Sequence, residues 1–177
     1  MNMPFLLALV IMLLSIATVI VPIGLLAGCN SDSSSSACSH TDFDRLPIVV
    51  TGKSPWGAVD LRLAPRVVKG DLPWGPTIMQ QNGDQYSGAT PWGSTHLTYA
   101  DTRLSGSAPW GDVSVTVTGQ SVIGKLPWGS VNLVLNGQVL SGSLPWGAAE
   151  LRLGDSYHSL DDPDVIMALA AILSDKT

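Results

Sequence analysis

From Pro47 onward, apolar and polar residues alternate in short bursts, each restarting after a Pro-Trp-Gly tripeptide. In one burst Val131, Leu133 and Leu135 alternate with Ser130, Asn132 and Val134. In another, Val113, Val115 and Val117 alternate with Asp112, Ser114 and Thr116, and Val59-Leu61-Leu63 and Ala149-Leu151-Leu153 repeat the pattern. A period of two puts one set of side chains on a dry face and the other in water, so each burst predicts a half-buried β-strand. Two-residue turns are predicted to follow at Ala64-Pro65, Asn82-Gly83, Ala100-Asp101, Thr118-Gly119, Asn136-Gly137 and Gly154-Asp155. Asn-Gly is the strongest of these signals because both residues tolerate positive φ. A return strand comes next, as in Gln138 to Leu144. Across such turns Leu133 would face Leu140, Val115 would face Val122 and Leu97 would face Leu104, all apolar pairs on one face.

The bursts are strictly periodic. Trp56, Trp74, Trp92, Trp110, Trp128 and Trp146 each sit in Pro-Trp-Gly at intervals of 18 residues, and together they are all six tryptophans of the chain. Gly52, Gly70, Gly88, Gly106, Gly124 and Gly142 precede them by four residues. Chance does not produce such spacing, so the chain is a repeat protein. Placed opposite the first inward residue of a strand, the repeat glycine leaves room for a bulky neighbour or a bend. Pro-Trp-Gly makes the second turn of each unit, proline fixing φ and glycine taking the left-handed conformation. Pro47 to Thr51 supplies a return strand in phase with the first unit, which gives six hairpins and 12 strands in meander order. Asp162 and Pro163 then form an N-cap and first helical position, and Val165 to Leu173 is apolar all round, so this helix must be buried.

These parts predict an all-β fold: a six-hairpin, 12-strand antiparallel meander closed into a shallow barrel, with the hydrophobic C-terminal helix as plug. Twelve strands leave more space than their own side chains fill, and the helix supplies the filler. The layout over about 46–174 resembles the tubby-like and phospholipid-scramblase fold, and is similar to the β-flower family, whose hairpins form petals around a shallow barrel. That likeness is architectural and carries no function with it. The competing fold is a β-solenoid with a tryptophan ladder and a helical cap.

Residues 1–28 carry no charge, and Pro4 to Ala27 are nearly all apolar, long enough to reach across a bilayer. The stretch ends in Leu26-Ala27-Gly28-Cys29, which resembles the lipobox of bacterial lipoproteins. The resemblance implies cleavage before Cys29 and lipidation of that cysteine. The alternative is an uncleaved signal anchor, since Met1-Asn2-Met3 lacks the basic residues of secretory leaders. Either places the remainder outside the cytoplasm, attached to a membrane; in a Gram-negative host, Asn30 after the lipidated cysteine would favour the outer membrane. The expected organisation is a signal peptide at 1–28, a lipid-anchored Ser-rich tether at 29–45, the repeat domain at 46–160 and the helix at 161–177. Asn30 to Thr41 reads as flexible. Cys38 has no intrachain partner in an oxidising compartment, which opens a route to a disulfide-linked dimer.

Composition narrows the chemistry. A net charge of −5 with nine Lys+Arg argues against nucleic acid as a partner. Glu150 is the one glutamate, and His96, Glu150 and Asp60 occupy outward positions in different repeats, while His158 takes an inward place. No catalytic group, metal site or cofactor is implied, and a non-catalytic role is expected. The candidate site is therefore the tryptophan set, read in three ways: packing that locks the repeats, contact with the membrane interface, or stacking on sugars. The expected partners are membrane lipid through the N-terminal anchor and an envelope glycan or protein. The expected function is a membrane-anchored cell-envelope β-repeat protein with a structural, membrane-contacting or binding role, the alternative being a lectin-like glycan or peptidoglycan binder.

Overall fold

The structure is a computed structural model that describes residues 40–174. The leader, Cys29 and Cys38 lie outside the described residues. A single helical turn, α1 (His40–Phe43), precedes the strands β1 (Ile48–Ser54), β2 (Gly57–Ala64), β3 (Val67–Leu72), β4 (Gly75–Asn82), β5 (Gln85–Thr90) and β6 (Gly93–Ala100). There follow β7 (Arg103–Ala108), β8 (Gly111–Thr118), β9 (Ser121–Leu126), β10 (Gly129–Asn136), β11 (Val139–Leu144), β12 (Gly147–Leu153) and α2 (Pro163–Ser174). Each strand pairs with its sequence neighbours, and β1 pairs with β12 to close the barrel. Antiparallel pairing around a ring, rather than coils stacked along an axis, overturns the solenoid alternative.

The period-two pattern places the inward residues as read, but the register is shifted. The hairpin loops lie one residue later than expected: Asn136 pairs with Val139 across Gly137-Gln138, and Ala100 pairs with Arg103 across Asp101-Thr102. Leu133 therefore faces Gly142, not Leu140, whose partner is Leu135. Likewise Val115 faces Gly124 while Val117 takes Val122, and Leu97 faces Gly106 while Tyr99 takes Leu104. The physical reason is a close approach. A Cβ built on Gly70 would lie 1.9 Å from the Asp60 carbonyl oxygen, and one on Gly142 would lie 2.1 Å from that of Asn132. Neighbouring strands touch at this level, so the repeat glycine must stand beside the central inward residue. On its other side each glycine does meet the first inward residue of the next unit, as in Gly124 with Val131.

Inside the ring, α2 is buried from Val165 to Ser174. Asp162 caps it: the Asp164 amide donates to Asp162 Oδ1 at 2.9 Å, and the Ile166 amide donates to the Asp162 carbonyl at 2.8 Å. Pro163 takes the first position, where its missing amide hydrogen costs nothing. The linker before it is fastened to the β8–β9 turn by the Leu160 amide on the Gly119 carbonyl at 3.1 Å. The helix thus enters at the end opposite the Pro-Trp-Gly turns. Each of its large apolar side chains contributes roughly 1.5–3 kcal/mol on burial.

Two local expectations are corrected. His158 is exposed, because the chain leaves the sheet after Leu153 and turns Tyr157, 7% exposed, inward instead. Of the stretch expected to be flexible, only His40 and Thr41 are described, and these two form the start of α1; the chain just beyond is held by Arg62. That guanidinium donates to the Asp44 carbonyl at 2.8 Å and the Leu46 carbonyl at 3.4 Å, and lies 5.2 Å from the centre of the Phe43 ring.

Candidate functional site: a crown of tryptophans

Six Pro-Trp turns line up at one end of the barrel, here termed the crown; the opposite end is the base. In each, the residue before proline pairs with the glycine after tryptophan, as Ser54 with Gly57 and Leu126 with Gly129. Pro and Trp are therefore the whole loop. Gly57, Gly75, Gly93, Gly111 and Gly129 hold φ between +127° and +155°, which a side chain resists. The sixth turn departs: Gly147 is relaxed, and Trp146 itself takes φ +77°. Where the preceding residue is Ser54 or Thr90, its hydroxyl accepts from the tryptophan amide at 3.3 Å and donates to the glycine carbonyl at 3.3 Å. Where it is Leu72, Leu126 or Leu144, the side chain is buried and seals the end of the core.

The turns also grip one another. A Cβ built on Gly57 would lie 3.2 Å from Pro73, one on Gly111 would lie 3.0 Å from Pro127, and one on Gly147 would lie 3.2 Å from Pro55. Every proline rests on the glycine of the preceding turn, and the last contact returns to the first. The crown is a closed ring of nested turns as well as the rim of a closed sheet.

The indoles divide into two kinds. Trp56 packs against the core, with Nε1 buried and without a hydrogen-bond partner among the described residues. Trp110 is half-buried and meets Trp92 edge-on, the ring centroids 5.8 Å apart. Trp74, Trp92 and Trp128 are exposed by 43–45%, and Trp146 by 73%. Packing and exposure coexist around one ring.

Charge is absent from the crown itself. None of the six turns contains an ionisable residue, and the nearest, Lys53, Asp71, Asp112 and Lys125, balance in sign. Alongside Arg66, Arg103 and Arg152, carboxylates gather at the base, at Asp84, Asp101, Asp155, Asp161, Asp162 and Asp164. Their field acts on two buried phenols. Burial, and then neighbouring Tyr99 and Asp84, push the Tyr86 hydroxyl up to about 12. Burial, and then Asp164, which accepts from the phenol at 3.2 Å, push Tyr157 up to about 12 as well.

The other candidates from sequence are not brought together. His96 registers with Ser87 and Ser107, Glu150 with Ser141 and Lys53, and Asp60 with Thr51 and Asp71. Among the described residues no three His, Cys, Asp or Glu side chains form a group that would hold a metal. Among the same residues no helix is long and apolar enough to cross a membrane. Sequence reasoning missed the base groove of 480 Å³ lined by Asp44, Thr51, Arg62, Arg152 and Asp155. Its signal was the outward pair Asp60 and Arg62, two residues apart on β2, bonded through the Nε and Nη2 edge of the guanidinium at 2.9 and 3.1 Å. With that fork on Asp60 and its remaining nitrogen on the Asp44 and Leu46 carbonyls, Arg62 works as a clamp on the entering chain. No protein-family model matches this chain, and neither the curated proteins nor the solved structures contain a match to it.

Proposed function

We propose that this is a membrane-anchored, cell-envelope β-repeat protein with a non-catalytic role, and that it acts by laying its tryptophan crown on a lipid surface. The observation that carries this reading is the exposure of four indoles on turns that contain no ionisable residue. Indoles partition to the membrane–water interface, where the ring is dry and the N–H is wet. A ring of turns already locked by proline on glycine presents them from one end with little ordering cost at the moment of contact. A sugar-binding reading needs polar partners beside each stacking ring. The two hydroxyls inside the turns, Ser54 and Thr90, are occupied within those turns, which favours lipid over glycan.

Intrinsic fluorescence of residues 42–177 with phosphatidylglycerol-containing liposomes tests the proposal. Every tryptophan of the chain is in the crown, so emission reports on that end alone. A blue shift with liposomes and none with peptidoglycan fragments is expected. A response to glycan alone would replace the membrane reading with the lectin, and silence to both would leave the crown a packing device.

A further inference from the structure

The two recessed indoles divide the crown in half. Trp56 and Trp110 belong to the β1–β2 and β7–β8 turns, which face each other across the closed ring. Between them lie two exposed pairs, Trp74 with Trp92 on one side and Trp128 with Trp146 on the other. The pairs are unequal. Pro145 is buried, alone among the six turn prolines, and Trp146, at φ +77°, stands outside it with 73% of its surface exposed.

The charges at the shoulder of the crown follow the same division. Lys125 on β9 and Lys53 on β1, each two residues before a turn proline, bracket the arc that carries Trp128 and Trp146. Asp71 on β3, at the same place in its unit, and Asp112 on β8, just past Gly111, bracket the arc that carries Trp74 and Trp92. All four are exposed, and among the described residues none of them forms an ion pair. Further down the wall the first half adds Glu150 and Arg152, which offset each other; the second adds Asp84 and Asp101 against Lys69 and Arg103. Charges that cancel over the whole crown thus leave one edge positive and the opposite edge negative. Twelve strands about 4.8 Å apart make a ring about 20 Å across, well beyond the Debye length of about 8 Å at physiological salt, so each edge acts separately.

We infer that the crown binds an anionic phospholipid surface by one edge, Trp128 and Trp146 between Lys53 and Lys125, with the barrel leaning to that side and Trp74 and Trp92 lifted clear. This rests on the membrane-contacting reading given above and adds to it the headgroup chemistry and the orientation. The indoles enter the interface while the two lysines, set just behind them, meet headgroup phosphates. Residues 126–149, which hold both turns and all of β10 and β11, contain no ionisable side chain, and Val134 and Val139 are exposed on that wall. Leaning therefore desolvates no charge there. A level seat would instead press Asp71 and Asp112 against a surface of their own sign.

The test uses the full-length chain in vesicles of phosphatidylethanolamine and phosphatidylglycerol. Every vesicle carries a brominated, tryptophan-quenching lipid, so contact with any bilayer is read. Trp128→Phe and Trp146→Phe should each remove a large part of the quenched emission, while Trp74→Phe and Trp92→Phe should leave that part as it was. Lys53→Gln and Lys125→Gln should each lower the bound-to-free ratio of the crown about fivefold. Asp71→Asn and Asp112→Asn, more than a Debye length from the contacting lipid, should change it by less than about twofold. Phosphatidylcholine vesicles with the same quencher should quench as weakly as the double lysine variant does. Equal losses from the four indole replacements, or aspartate variants that gain as much as the lysine variants lose, would mean a level seat. Either would overturn docking by one edge while leaving membrane contact intact. Quenching indifferent to phosphatidylglycerol would overturn the anionic headgroup. A dimer in detergent solution that Trp146→Phe dissociates would assign the edge to a second copy and overturn the lipid. Absence of quenching from every vesicle would remove membrane contact itself, and the edge with it.

Discussion

Replacing Gly70 with alanine would drive a methyl group into the adjoining strand. The added carbon would lie 1.9 Å from the Asp60 carbonyl oxygen and 3.0 Å from Leu61 Cα, both backbone atoms that no rotamer change can move. Opening that contact to 3.0 Å requires β2 and β3 to part by about 1 Å, which lengthens ladder hydrogen bonds of about 2.9 Å beyond bonding range. Two such bonds lost, at roughly 1–1.5 kcal/mol each, give a cost of about 2–3 kcal/mol. Gly137 provides the contrast. Its φ is +63° and a Cβ there meets nothing within 4 Å, so Gly137→Ala pays only for the left-handed backbone, about 1 kcal/mol. Urea and thermal unfolding of residues 42–177 followed by far-ultraviolet circular dichroism would compare the two. For a domain of this size Gly70→Ala should lower the Tm by about 10 °C, and Gly137→Ala by less than half as much. Equal losses would refute the argument that strand contact, rather than backbone conformation, fixes the repeat glycine.

Further outcomes follow from single residues. Thr95 is fully buried, and its hydroxyl has no hydrogen-bond partner among the described residues, at a position where other units carry Val59, Val113 and Val131. Thr95→Val should therefore raise stability by about 1–2 kcal/mol in the same unfolding assay. Tyr86 and Tyr157 are raised from the ordinary 10 to about 12, so the folded state favours the neutral phenol. Their contribution is complete below pH 10 and is lost as pH climbs through 12; Tyr86→Phe should flatten this alkaline decline in pH-jump unfolding. Trp146 combines the greatest exposure with a left-handed backbone, so Trp146→Gly should add about 1 kcal/mol of stability. The same change should weaken liposome binding more than Trp56→Phe does, as measured by cosedimentation with lipid.

Much of this architecture is written locally. The 18-residue interval, the alternation through Val131, Leu133 and Leu135, and the Asp162-Pro163 start of the helix each depend on neighbours along the chain, so strand number, facing and the plug were all readable. The loop position was not. Asn136-Gly137 and Gly137-Gln138 serve equally well as two-residue turns, and the choice is made by Gly142 having to sit beside Leu133, a contact between strands. His158 failed for a related reason: the repeat was extrapolated past Leu153, where no further Pro-Trp-Gly turn continues it. In the crown, residue positions were legible but the exposure of each indole was not. It depends on what the adjoining turn presents, as with Trp92 against Trp110. The Asp60–Arg62 half of the clamp was marked in the sequence, but its grip on the entering chain was not, because the Asp44 and Leu46 groups it holds are backbone carbonyls.

The contact of Pro55 with Gly147 has a consequence for how such a sequence can change over generations. Tandem repeats invite unequal recombination, and a solenoid tolerates the result because a coil added or removed alters only its length. A ring has no such freedom. Losing one 18-residue unit would shrink the circumference by two strands and squeeze the bore against α2; gaining one would open a void that this helix cannot fill. The helix is thus a gauge for copy number, accepting six units and penalising five or seven. Inheritance of this gene is held to a count, while the outward residues between the turns remain free to drift.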